Sequence, residues 1–337
     1  MYTIIRSFFF LFPAEKAHLI TMTLFKYIIK IPLISYLFRF EDNPTTVDKI
    51  TYKNKAGLAA GFDKDGKFLH ELYTLNFGFI EIGTVTPKPQ DGNPKPRLFR
   101  LKKDNALLNR MGFNNEGLKS LKIRLQNFRN KQPSCSMKIG INIGKNKMTP
   151  NENAVDDYVR CYQELYELAD FFIVNVSSPN TPNLRELQNK NELLKILNAL
   201  LAIRAKQKNW KPLYLKIAPD LTQSQLDEII DLQHEIKFEG LVATNTSIDR
   251  KLLKKSDPDI VNALGNGGIS GKVILDTSNA MIRYIRDKSK MTIIGVGGID
   301  DEVSAQSKLD AGADLLEIYT GFVYSGPRLI KKIGLLN

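Results

Sequence analysis

The sequence predicts an α/β fold, an eight-stranded (β/α)8 barrel with a small N-terminal helical extension. Three observations carry this. From about residue 50 onward, eight short apolar, β-branched runs alternate with longer helical patterns. Most of the runs are apolar without interruption, as strands buried on both faces are. Each run also ends in a polar side chain or a glycine turn, at the rim where barrels place their chemistry. The chain has 337 residues, enough for a barrel of about 250 residues plus an attachment.

Residues 1–42 form the predicted extension. Of the first forty residues, 26 are apolar, and they hold ten of the chain's 31 aromatics. Arg6, Lys16, Lys26, Lys30 and Arg39 stand against Glu15 alone. A transmembrane helix needs about 18 apolar residues with few charges. Here no stretch free of charge and histidine exceeds eight residues, at 7–14 and 31–38. A secretory signal is not expected either, because Pro13 cuts the apolar run after Arg6 and no small-residue cleavage site follows. The pattern predicts two short amphipathic helices, over 14–30 and 32–40, basic on one side and aromatic on the other. That composition suits a helix lying in a membrane interface. The competing reading is a hydrophobic hairpin packed on its own protein.

Residues 43–337 form the predicted barrel. Its strands fall at 57–60, 79–83, 137–141, 171–174, 212–216, 240–243, 291–296 and 315–318. Among the helices, Val155, Tyr158, Val159, Tyr162, Leu165 and Leu168 share one face. Residues 191–206 and 223–233 behave likewise, with Thr222 and Ser224 as caps for the latter. A doubly wound nucleotide fold would carry GxGxxG after a strand. The glycine-rich pieces at 265–271 and 295–298 do not fit it, since Ser270 and Asp300 take the third glycine's place. Gly140 to Lys145 is not a P-loop, because three residues separate the glycines and Asn146 replaces the hydroxyl residue.

Composition narrows the chemistry. Two cysteines, Cys135 and Cys161, exclude a disulfide scaffold and a four-cysteine zinc site. His18, His70 and His234 are far apart and form no HExxH, so no metal is expected. The net charge of +12 permits nucleic-acid contact. Beyond the extension, however, it is scattered over Lys-rich helices such as 118–131, and no nucleic-acid partner is expected.

The strand ends supply amides and two cations. Asn109, Asn142, Asn175, Asn180 and Asn245 offer both donors and acceptors, which suits a flat, neutral, amide-bearing ring. Lys64 and Lys216 add positive charge, and the glycine turns after strands 7 and 8 offer backbone N–H groups for a phosphate. Together these describe a flavin mononucleotide pocket, in which Lys216 would stabilise negative charge on the reduced ring. Taken singly, most of these residues read equally well as turn formers or packing glycines.

Ten segments resemble dihydroorotate dehydrogenase. They are GLAAGFDKDG (57–66), EIGTVTP (81–87), PRLFR (96–100), NRMGFNN (109–115), NVSSPN (175–180), KIAPD (216–220), ATNT (243–246), GGISG (267–271), GVGGI (295–299) and YTG (319–321). They are long, ordered and spread over essentially the whole chain. The resemblance implies a (β/α)8 barrel holding one FMN per chain, which oxidises dihydroorotate to orotate in pyrimidine synthesis. It also places Ser178 at the position of the catalytic base. Serine there, together with the helical extension, resembles the membrane-associated class 2, whose electron acceptor is a quinone. Departures are mild: Phe62 stands where leucine is usual, Thr320 where serine is common, and the 249–265 segment is slightly long.

The same resemblance implies flavin contacts at Ala60, Gly61, Lys64, Thr84, Asn142, Asn175, Lys216, Thr244, Gly271, Gly298, Tyr319 and Thr320. It implies substrate contacts at Lys64, Asn109, Arg110, Met111, Gly112, Phe113, Asn175, Asn180, Asn245 and Thr246. His18, Arg100 and Tyr319 would line the quinone's path between the N-terminal helices. The implied location is the cytoplasmic face of an anionic membrane. Alternatives are a class 1 enzyme using fumarate or NAD, a Schiff-base aldolase acting through Lys216, and a membrane-binding protein with a vestigial site.

Overall fold

The computed structural model describes residues 2–31, 34 and 36–337. Eight parallel strands close a barrel: β1 (Ala56–Leu58), β2 (Phe79–Val85), β3 (Lys138–Ile143), β4 (Phe171–Asn175), β5 (Leu213–Ile217), β6 (Gly240–Ala243), β7 (Thr292–Val296) and β8 (Leu315–Ile318). Each pairs with the next, and β8 pairs with β1. All eight lie on the predicted runs, with ends shifted by no more than two residues.

The barrel interior is filled, so only one end can hold a ligand. Phe79, Phe171, Ile173, Tyr214, Val242, Ile294 and Leu315 pack across it. The two phenylalanine rings occupy space left by glycines on neighbouring strands. A Cβ on Gly57 or Gly140 would lie 2.2 Å from the ring of Phe79 or Phe171, respectively.

A hairpin that the sequence pattern did not predict (Thr45–Val47 and Ile50–Tyr52) plugs the N-terminal end. Its two-residue turn, Asp48-Lys49, takes the left-handed conformation that such turns require. Tyr52 meets Phe79 and Phe171 edge-on at 5.4 and 6.2 Å, and the Tyr214 hydroxyl donates to Asp48 at 2.7 Å.

The helices cover the outside. Gly117–Lys131, whose lysines suggested a solvated surface helix, still buries Leu118, Leu121, Leu125 and Phe128. Ala154–Leu165 buries Tyr158, Tyr162 and Leu165 on the predicted face. Gln223–Ile236 is capped by Thr222 in a box with Gln225, while Ser224 falls inside the first turn. Over the open rim lies a three-stranded antiparallel sheet of Leu98–Leu101, Ala106–Asn109 and Gly268–Gly271. The long 249–265 segment folds into a 3-10 turn, Arg250–Leu252, and a short helix, Pro258–Ala263.

The extension begins with α1 (Tyr2–Phe9), which the sequence pattern did not predict, followed by α2 (Ala14–Ile28). The predicted 32–40 helix includes Pro32, Leu33 and Ser35, which lie outside the described residues. The Tyr2 hydroxyl donates to the Val323 carbonyl at 2.8 Å, and Arg6 donates to that of Tyr324 at 2.6 Å. Arg97 grips Glu15 on α2 with both Nη2 (2.8 Å) and Nε (3.2 Å). No described helix is long and apolar enough to cross a membrane.

Candidate active site

A cleft with about 1050 Å³ of empty space opens at the C-terminal rim, between the strand ends and the three-stranded sheet. One side of it is glycine backbone. Gly271 and Gly298 have φ of +108° and +83°. A Cβ on either would strike main chain, 2.4 Å from the Asn105 carbonyl and 2.5 Å from Leu275 Cα. Only glycine fits there, and both glycines bring main chain to the cleft lining. Ser270 and Thr320 hydroxyls, 2.8 Å apart, complete this anion-sized cradle.

The floor is charged. Lys216, at the end of β5, donates to Glu81 of β2 at 2.6 Å and lies 3.7 Å from Glu317 of β8. All three are buried. Burial alone would lower the Lys216 pKa, but the carboxyl group beside it, Glu81 foremost, outweighs burial and keeps the ammonium charged. Glu81 also accepts from the Ala60 N–H at 3.2 Å and from Asn142 at 2.5 Å. Asn142 thus lies behind the floor rather than in the cleft. Its carbonyl accepts from Thr84 (2.5 Å) and Asn175 (3.1 Å), which do line the cleft.

The roof and mouth hold the amides. Asn180 donates to Asn109 at 2.8 Å, and Asn245 donates to the Ser177 hydroxyl at 3.0 Å. Ser178 sits between them, buried but lining the cleft, and its Oγ accepts the Asn180 N–H at 3.3 Å. Lys64 donates to Asn114 at 2.6 Å. Burial and the nearby Arg97 push its pKa down to about 7. Met111, Gly112, Phe113, Thr244, Thr246, Gly61 and Tyr319 also line the cleft. Arg110 does not: its guanidinium turns outward onto the Pro96 carbonyl, at 3.0 Å.

The three residues read as a path to the second acceptor sit on the extension side. The His18 ring lies 4.6 Å from that of Phe62, which is 5.7 Å from Tyr319. Burial, reinforced by Lys64, lowers the His18 pKa to about 4, so the ring is neutral at pH 7. Tyr319 alone of the three lines the cleft. Arg100 points away, donating to the Phe10 carbonyl at 3.4 Å and to that of Phe12.

Several supports were not evident from the sequence. Glu317 is one, and Thr181 is a further residue not singled out, its hydroxyl buried with no partner among the described residues, three residues past Ser178. Arg185 is a third. It donates to the Ser177 carbonyl (3.1 Å), the Thr246 carbonyl (3.1 Å) and Asp220 (3.0 Å), tying together the loops after β4, β5 and β6.

A plugged barrel whose open rim combines glycine backbone, an amide belt and a buried lysine defines a class: (β/α)8 proteins with a polar ligand site at the C-terminal rim. The donor set fits FMN: glycine backbone at Gly271 and Gly298 and the Thr320 hydroxyl are of the kind that would hold a phosphate, and Thr84, Asn175 and Lys216 of the kind that would hold a flavin ring. Comparison with known proteins narrows the class. A family profile described as "Dihydroorotate dehydrogenase" matches residues 44–335. The chain is 48% identical to a dihydroorotate dehydrogenase (quinone) of Christiangramia forsetii, covering 98% of this chain and 96% of that one. It is 44% identical to a namesake in Paraburkholderia phymatum, covering 98% and 95%. Among solved structures it resembles DHODH from Eimeria tenella in complex with ferulenol (TM-score 0.83, 32% identity, 95% of this chain and 89% of that one). This chain belongs to the dihydroorotate dehydrogenase family.

Proposed function

We propose that this protein oxidises dihydroorotate to orotate in pyrimidine biosynthesis and passes the electrons to a membrane quinone. The observation that carries the reading is Ser178 in the cleft wall, opposite a cradle and floor suited to FMN, in a chain related end to end to quinone-dependent enzymes. FMN, one per chain, supplies hydride acceptance and return of the electrons.

The protein's own residues do the rest. Asn109, Asn180 and Asn245 orient the substrate ring, and Lys64 meets its carboxylate. Ser178 Oγ takes the proton from substrate C5, a task for which a serine hydroxyl needs local assistance. Lys216 holds positive charge at the floor, where negative charge develops. The aldolase reading fails on the same lysine. A Schiff-base nucleophile must be a free amine, whereas Lys216 is held as an ammonium by Glu81.

The extension fits attachment to a membrane surface. Ile20, Leu24, Tyr27, Ile28 and Ile31 are exposed along one face of α2 and its end, and Ile4, Phe8 and Leu11 are exposed on and after α1. So many exposed apolar side chains, beside Lys16, Lys26 and Lys30, suit an anionic leaflet such as the cytoplasmic face of the cell membrane. The path for the quinone runs between these helices past His18 to Tyr319, with Arg100 at its outer edge.

A visible spectrum tests the whole reading. The purified protein is expected to be yellow, to bleach anaerobically with dihydroorotate, and to recolour with a quinone but not with fumarate or NAD. Recolouring by fumarate or NAD alone moves it to class 1. A colourless protein without turnover removes the enzyme reading.

A further inference from the structure

The cleft floor poses a charge problem. Glu81, Lys216 and Glu317 have relative exposures of 1%, 4% and 1%, so water screens none of them. Two carboxyls face one ammonium. Glu81 is well provided, accepting from Lys216, from the Ala60 N–H and from Asn142. Glu317 is not: both of its oxygens are buried with no donor among the described residues, and Lys216 stands 3.7 Å away, beyond a normal hydrogen bond. Glu81 Oε2 at 2.6 Å and Glu317 Oε2 at 3.7 Å approach the same Lys216 Nζ, which brings the two carboxyls together around one ammonium. Glu81 and Lys216 are the titratable groups that act most strongly on Glu317, and Tyr52 lies within range of its charge.

We propose that Glu317 is a neutral carboxylic acid that donates its proton to Glu81, so that the pair acts as one carboxylate matched to Lys216 and the cleft floor carries no net charge. Adjacent like charges in a dry site cannot both ionise, and one proton shared between two carboxyls removes the conflict. The same proton gives Glu317 a partner that an ionised carboxylate would lack. Burial and the Glu81 charge both push the Glu317 pKa upward, while Lys216 and hydrogen bonds hold that of Glu81 down despite its burial. Glu317 is thereby a positioning residue. An ionised Glu317 would leave the floor at −1 and work against negative charge in the cleft. A neutral one leaves the lysine's field balanced by a single counter-ion. The functional weight of this rests on the cleft being the FMN site.

The charge count gives the test. On the flavin-loaded protein, Glu317→Gln and Glu81→Gln each leave the floor neutral, because in the second variant Glu317 ionises to become the counter-ion. Only the double variant leaves Lys216 unbalanced, at +1. The midpoint potential of the bound flavin is therefore expected to stay near wild type in both single variants and to rise in the double. A rise in each single variant, with a further rise in the double, means that Glu317 is ionised and overturns the proposal.

Infrared difference spectra report the proton directly. Wild type minus Glu317→Gln is expected to show a carboxylic acid C=O band that shifts in D2O and is missing in Glu81→Gln. Carboxylate bands in place of that acid band, or an acid band that survives Glu81→Gln, overturn the shared proton. If a variant does not fold, wild-type protein labelled with 13C at glutamate carboxyls is expected to keep one protonated carboxyl signal from pH 5 to 9, and its absence has the same force. The band and the labelled signal can be read whether or not flavin is bound. Loss of the FMN reading and loss of this proposal are thus separate results.

Discussion

At the scale of single residues, the proposed base is a hydroxyl with little visible help. Among the described residues no carboxylate or imidazole is hydrogen-bonded to Ser178, and its Oγ only accepts the Asn180 N–H. The buried, unpartnered Thr181 hydroxyl lies in the same loop. General-base contributions are typically 10²- to 10⁴-fold. Ser178→Ala is expected to slow flavin reduction by dihydroorotate by about that factor in anaerobic stopped flow, with flavin content and melting temperature near wild type. Normal turnover in this variant removes the base assignment. Asn142, Asn175 and Asn245 were legible in the sequence because polar residues interrupt apolar strands at their ends, whereas the role of Ser178 came from the family resemblance of 175–180. Glu81 and Glu317 carried the same kind of signal, a lone carboxylate inside a run buried on both faces. Their meeting was not legible, since 235 residues and the five strands β3 to β7 separate them and only closure brings β8 back beside β1.

At the scale of elements, strands were easier to read than the parts that cover them. An uninterrupted apolar run bounded by turns specifies a buried strand by itself. The plug hairpin does not. Thr45–Val47 and Ile50–Tyr52 are three residues each, and the turn between them uses Asp48-Lys49 instead of a glycine. Helix α1 was hidden because its apolar residues continue past its end to Leu11 and Phe12. The polar contacts that attach the extension include Glu15 with Arg97 and Lys95, Tyr2 and Arg6 on the carbonyls of Val323 and Tyr324, and the carbonyls of Phe10, Phe12 and Phe40, which accept from Arg100 and Asn76. Little of the cleft wall comes from it, since none of the described residues of 1–42 lines the cleft. Removal of residues 1–40 is therefore expected to spare flavin binding and the dihydroorotate half-reaction. The same truncation should cut quinone reduction by about tenfold or more, and should abolish co-sedimentation with anionic vesicles. Equal quinone rates for the full and truncated chains would refute the path past His18.

At the scale of the whole molecule, the excess positive charge divides into parts with different roles. The first forty residues hold a net +4 that suits a lipid surface, and Lys64 and Lys216 serve the cleft. One further lysine belongs to neither group. Lys308, on the helix Glu302–Asp310, has no exposed surface and no carboxylate partner, and it donates to Ser278 Oγ and Asn279 Oδ1, each at 2.8 Å. A neutral amine has two N–H groups for those two acceptors, whereas an ammonium would bury a third N–H unpaired. Burial, with a smaller contribution from Arg283, lowers its pKa to about 7 from an ordinary value of 10.5. Between those limits the unfolded chain binds a proton that the folded chain does not, so this residue makes stability rise with pH through the window and fall as pH drops toward 7. Because a tenfold change in a proton equilibrium corresponds to about 1.4 kcal/mol, the contribution is on the order of several kcal/mol across the window. Other buried lysines, and tyrosines at higher pH, also titrate, so the informative quantity is a difference between two proteins. Lys308→Met keeps the volume and removes the titration. Relative to wild type, its stability in urea is expected to fall steadily as pH rises from 7 to 10, since only wild type gains from the titration. Parallel stability curves over that range would mean that Lys308 stays charged in the folded protein.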